Sequence, residues 1–142
     1  MVKPSLTLWL WSGLALLLSQ LALVAAAAGH LAVFYNHGIS FGLLSAAGAL
    51  PLVLDLAGVG VLLLAVWSLP SGRIWPEALA LGGALGNLLD RLLLGGVPDP
   101  FRLPPYPFSF NLADVMIRIG LLAWLICLLA ARYRRRHSPQ RP

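Results

Sequence analysis

The sequence predicts an all-α integral membrane protein: four transmembrane helices with a small extended or β element on the outer face. Composition is the first reason. Apolar residues make up 59% of the 142-residue chain and charged residues only 11%, whereas soluble domains carry roughly a quarter charged residues. Mean hydropathy is +0.84. The second reason is length, because the apolar residues fall into runs that match a bilayer. The third is charge placement, which alternates with those runs as membrane topology demands.

The first run, Leu6 to Ala28, has 23 residues and no charge, enough to cross a hydrocarbon core of roughly 30 Å. It exceeds the about 7–15 residues of a signal-peptide core, so it is expected to remain as a span. No lipobox cysteine accompanies it, so the chain is not itself expected to be a lipoprotein. The second run covers Leu52 to Leu69, with Asp55 near its start. The third, Pro76 to Leu94, is the weakest by hydropathy because Asn87, Asp90 and Arg91 fall in its last turns. The fourth covers Leu112 to Ala131. Residues 132–142 form a basic tail in which Arg132, Arg134, Arg135, Arg136 and Arg141 read as a cytoplasmic anchor against anionic lipid. The net charge of +5 therefore points to membrane lipid and not to nucleic acid.

Lys3, the Ser71-Gly72-Arg73 turn and the tail share one side if both termini are cytoplasmic. The connections 29–51 and 95–111 hold only Arg102 among basic residues and then face outward. The stretch from Leu31 to Tyr35 favours β structure. Pro98 to Pro107 cannot be helical, since its prolines remove donors and restrict the residues before them. It is expected to run extended and carry Asp99 toward the membrane surface. The lone Cys127 excludes a disulfide framework, no histidine pair has ligand spacing, and no metal or cofactor is expected. His30, His37 and His137 read as solvated.

Polar residues gather at the outer interface of this topology. In Asn36-His37-Gly38-Ile39-Ser40-Phe41-Gly42, Asn36 suits a turn, or an amide that offers donor and acceptor to a bound peptide. Gly82 and Gly86 form a small-x-x-x-small pair for close helix approach. Asn87, Asp90 and Arg91 share one helix face, which must turn into the bundle or a watery cleft. Asp90 reads best as a staple between helices, and Arg91 suits either that role or a hold on a lipid phosphate or a peptide carbonyl. Asn111 and Asp114 have the spacing of a capping box, Asp99 that of a turn residue, and Arg118 that of a partner to Asp114. Asp55 reads as interfacial, with a place in the cleft open to it. Yet acids at membrane depth are costly, and two acids near one interface suggest a coupled pair in which one keeps its proton.

Three blocks, NHGISFG, GGALGNLLDRLLLGGVPD and FNLADVMIRIG, resemble the signature blocks of signal peptidase II, the lipoprotein signal peptidase family. The resemblance spans roughly Asn36 to Gly120. It implies an inner-membrane aspartyl endopeptidase that cuts diacylglyceryl-modified prolipoproteins just before the lipidated cysteine, acting as a monomer with no cofactor. It implies Asp99 and Asp114 as the catalytic pair, Asn36, Asn87, Arg91 and Asn111 as substrate-cleft residues, and Asp90 as support. This sequence departs from the family where Ser19-Gln20 stands in place of an Asp-Gln pair and no lysine follows. It also places Pro100 directly after Asp99, ahead of the aromatic Phe101, and has a short, proline-rich spacer to Asn111. Two other readings stay open: a weakly active paralogue that binds lipidated peptides, and a small proton-coupled transporter using Asp55, Asp90 and Asp114.

Overall fold

The computed structural model describes residues 5–29, 31–39, 43–69, 73–105 and 108–137. Lys3, His30, Ser40, Phe41, Gly42, Ser71, Gly72, Tyr106, Pro107 and Arg141, which carry expectations above, lie outside the described residues. Among the described residues the elements run α1 (Leu6–Ala28), β1 (Phe34–Asn36), α2 (Leu50–Ser68), α3 (Trp75–Leu94), β2 (Val97–Asp99), β3 (Phe101–Arg102), β4 (Ser109–Phe110) and α4 (Leu112–His137).

Local chemistry sets the ends of these helices. The Ser5 hydroxyl accepts the Leu8 N–H at 3.3 Å and caps α1. Pro51 and Pro76 open α2 and α3, where a missing N–H has no partner to lose. Gly95, at φ 73°, stops α3 in the left-handed conformation. α4 continues past Ala131 through the arginines to His137, because Arg is a good helix former and cations suit a helix C-terminus.

Three helices among the described residues, α1, α2 and α4, are long and apolar enough to cross a membrane. The remaining one, α3, carries Glu77, Asp90 and Arg91, yet it packs against all three others. Those three charged residues are at most 8% exposed, so α3 hides its charge inside the bundle while its neighbours present leucine and valine outward. Glycine seams permit this enclosure. A Cβ at Gly82 would lie 2.5 Å from the Ser12 carbonyl oxygen of α1, and one at Gly83 would lie 2.6 Å from the Ala113 carbonyl oxygen of α4. Val59, Leu81 and Leu88 fill the α2–α3 interface, and Leu8, Val66, Ala78 and Trp124 close the arginine end. There the Trp124 indole donates to the Leu69 carbonyl at 3.0 Å and ties α4 to the end of α2.

Among the described residues, the extended element at the opposite end holds two antiparallel strand pairs. β1 pairs with β2, setting Phe34 opposite Asp99 and Asn36 opposite Val97. β3 pairs with β4, setting Arg102 opposite Ser109. The Arg102 guanidinium lies 3.7 Å from the centroid of the Phe34 ring. Val97–Asp99 and Phe101–Arg102 run extended, as the prolines predict, and Asp99 is packed within the protein at 0% exposure. Pairing with β1 covers β2 on the side that a free crossing would leave open.

Candidate active site

Asp99 ends β2, and Asp114 sits in the first turn of α4. Asn111, the residue before α4, joins the two. Its Oδ1 accepts the Asp114 N–H at 2.9 Å, and the Asp114 carboxylate accepts the Asn111 N–H at 3.4 Å. That is the capping box the spacing predicts. With Oδ1 so engaged, Asn111 turns its Nδ2 outward, donating to Asp99 Oδ1 at 3.0 Å and to Asn87 Oδ1 at 3.1 Å. Asn87 returns the link by donating Nδ2 to Asp114 Oδ1 at 3.0 Å. A helix cap and a carboxyl pair are thus one network, and the structural and functional readings of Asn111-x-x-Asp114 hold together.

Asp99 Oδ2 has two further neighbours, Asn36 Nδ2 at 3.3 Å and the Ser109 hydroxyl at 3.4 Å. Asn36 also makes the expected turn, its Oδ1 accepting the Gly38 N–H at 3.0 Å. Both asparagines therefore have their carbonyl ends occupied by backbone N–H groups and can offer Asp99 only donors. Burial pushes Asp99 up to about 6, and the charge of Asp114 adds to the rise. The hydrogen bonds from Asn36, Asn111 and Ser109 oppose it. An acid buried beside a second acid is poised to hold a proton.

Both carboxyl groups line a cleft of about 300 Å³ that also takes in Asn36, Asn87, Asp55, Arg91 and Arg118. Below the acids the cleft descends along α4 past Ile117 to Leu121, a polar mouth above an apolar wall. Asn111, 1% exposed, lies behind the acids and does not line it. Asp90 lies elsewhere, on the α1 side of α3, where it accepts from Gln20 Nε2 at 3.3 Å as a helix staple. Ser19, beside it, returns its hydroxyl to the Leu16 carbonyl at 2.7 Å and packs on Gly86. His37 is exposed, with Nδ1 3.1 Å from the Gly95 carbonyl oxygen. Among the described residues no three His, Cys, Asp or Glu side chains group as metal ligands.

Arg91 takes up contacts within the protein, including a salt bridge between two helices. Its Nε pairs with Asp55, and Nη1 and Nη2 donate to the carbonyls of Asn36 and Gly38 at 3.3 and 2.6 Å. It therefore grips the protein's own loop at the rim of the cleft. Ser109 carries no sequence signal, whereas Asp55, the sole charge in an otherwise apolar helix, takes the place in the cleft that the sequence leaves open to it.

Helices long and apolar enough to cross a membrane, with buried Asp99 and half-buried Asp114 sharing one cleft, make this a membrane protein with a polar site near one end of its helices. Comparison with known proteins supports this class and narrows it. One solved bacterial membrane enzyme, determined by the in meso method at 2.3 Å resolution, shares the fold at a TM-score of 0.71 and 21% identity, covering 100% of this chain and 98% of that one. The profile of signal peptidase (SPase) II matches residues 8–130. The lipoprotein signal peptidase of Cyanothece sp. is 40% identical over 119 residues, which is 80% of this chain and 68% of that protein. The one from Aquifex aeolicus is 41% identical over 71% of this chain and 63% of its own length. That of Methylorubrum extorquens is 36% identical over 84% of this chain and 74% of its own. This chain belongs to the signal peptidase II family, a family of membrane proteases, as the three sequence blocks implied.

Proposed function

We propose that this chain is an intramembrane aspartyl endopeptidase that removes the signal peptide of diacylglyceryl-modified prolipoproteins just before the lipidated cysteine. The observation that carries the proposal is the pair Asp99 and Asp114, tied through Asn111 and open to one cleft. In this reading both termini are cytoplasmic, and the carboxyl pair lies near the outer face of a bacterial inner membrane. All four helices span, with α3 inside the other three. Asn36 and Asn87 meet the substrate peptide at the cleft mouth, and the apolar wall below receives its hydrophobic part.

The roles of the acids follow from their surroundings. Asp114 sits in the first turn of α4, where Asn87 Nδ2 and the Asn111 N–H donate to its carboxylate and hold it at the cleft. It takes a proton from a water molecule, and the water oxygen adds to the scissile carbonyl carbon. Asp99, buried and protonated, gives its proton to the carbonyl oxygen as the tetrahedral intermediate forms. On collapse, Asp99 recovers a proton from the intermediate's hydroxyl, and Asp114 passes its proton to the departing amine. Asparagine donors on both acids hold them in place through the cycle.

The purified protein in detergent, given a diacylglyceryl-modified prolipoprotein, should release a product whose mass places the lipidated cysteine at its new N-terminus. The unmodified precursor should stay intact. Failure of the folded protein to cut the modified precursor, or a cut at another bond, overturns the proposal.

A further inference from the structure

The ion pair between Asp55 of α2 and Arg91 of α3 has no part in the hydrolysis described above, yet both residues line the cleft. The side chain of Arg91 is 7% exposed and that of Asp55 22%. All three guanidinium nitrogens are committed, one to Asp55 and two to loop carbonyls. One of those carbonyls belongs to Asn36, whose amide in turn donates to Asp99. A buried cation thus stands one residue away from the carboxyl pair, neutralised by a carboxylate from a different helix.

We propose that Asp55 is a positioning residue, which holds Arg91 against the 36–38 loop and screens the carboxyl pair from its charge. The proposal rests on the proteolytic reading only for its effect on rate; the electrostatics stand without it. Removing the Asp55 charge leaves an uncompensated cation beside the cleft and favours the ionised form of Asp99. Removing the Arg91 charge leaves an uncompensated anion and favours the protonated form. The other charged groups around Asp99 are Asp114 and Arg118 of α4, which line the cleft, and Arg102 of β3, which lies over Phe34. Asp90 and His37 are turned away, toward Gln20 and the Gly95 carbonyl.

The test is a pH titration of the protonated-carboxyl infrared band that Asp99→Asn removes, in folded protein in detergent. Its midpoint should fall by about 0.5–1 unit in Asp55→Asn and rise by a similar amount in Arg91→Gln. It should return to the wild-type value in the double variant and hold that value in Asp55→Glu. The alkaline limb of the pH–rate profile should move with it. If Asp55→Asn does not fold, the rise in Arg91→Gln and its cancellation in the double variant decide the matter. Midpoints that stay fixed across the set overturn the proposal, and cleavage failing in wild type while the midpoints shift overturns only the proteolytic reading.

Discussion

The two sides of α3 put polar residues to opposite use. On the α1 side, Gly82 and Gly86 let the helices close, and Ser19, Gln20 and Asp90 satisfy one another or their own backbone. On the other side, Asn87 and Arg91 reach toward α4 and α2, where Asp99, Asp114 and Asp55 meet them around open space. The neighbours decide the difference, since residue types on the two faces are alike. A polar group met by a close-packed helix becomes a staple, and one met across a gap becomes available for chemistry.

Substitutions on the two sides should therefore separate. Asp99→Asn and Asp114→Asn should each reduce cleavage by about 10²–10⁴-fold, the span of a lost general acid or base, with the folded protein retained. Wild-type-like turnover in either variant, measured on the lipidated precursor, would erase the distinction. Asn111→Ala removes both the cap and the link to Asp99. It should cost about 1 kcal/mol of stability and about 10- to 100-fold in kcat through displaced carboxyls. A stability loss with kcat intact would make Asn111 a cap alone. On the closed side, Gly82→Val should lower thermal stability in detergent by about 1–3 kcal/mol through overpacking, while the folded fraction keeps its kcat. Smallest of all, Asp90→Asn should change stability by less than about 1 kcal/mol, because Gln20 can still donate to the amide oxygen, and should leave the pH–rate profile unmoved. A shifted profile in Asp90→Asn would place that residue with the cleft.

Much of this division was legible in the chain because it is local. The capping box needs only the Asn111-x-x-Asp114 spacing, the Asn36 turn only the glycine two residues on, and the helix seam only Gly82 and Gly86. What was not legible depends on long-range pairing. Asp55 and Arg91 are 36 residues apart and meet only when α2 docks on α3. Asn36 and Asp99 are 63 apart and meet through the β1–β2 ladder. The same ladder helps to bury Asp99, a burial that its flanking prolines do not signal. Ser109 meets Asp99 where β4 pairs with β3. Low hydropathy made α3 the weakest span, because hydropathy counts charges without knowing that three other helices enclose them.

The pH dependence of kcat/KM on a diacylglyceryl peptide tests the central claim most directly, since it reports the ionisation of the free enzyme. Asp99 must hold its proton to act as acid, so activity should fall as pH rises through its folded value, about 6. An alkaline limb near that value supports a shared-proton carboxyl pair. A rate that climbs with pH and stays level above 7 would contradict it.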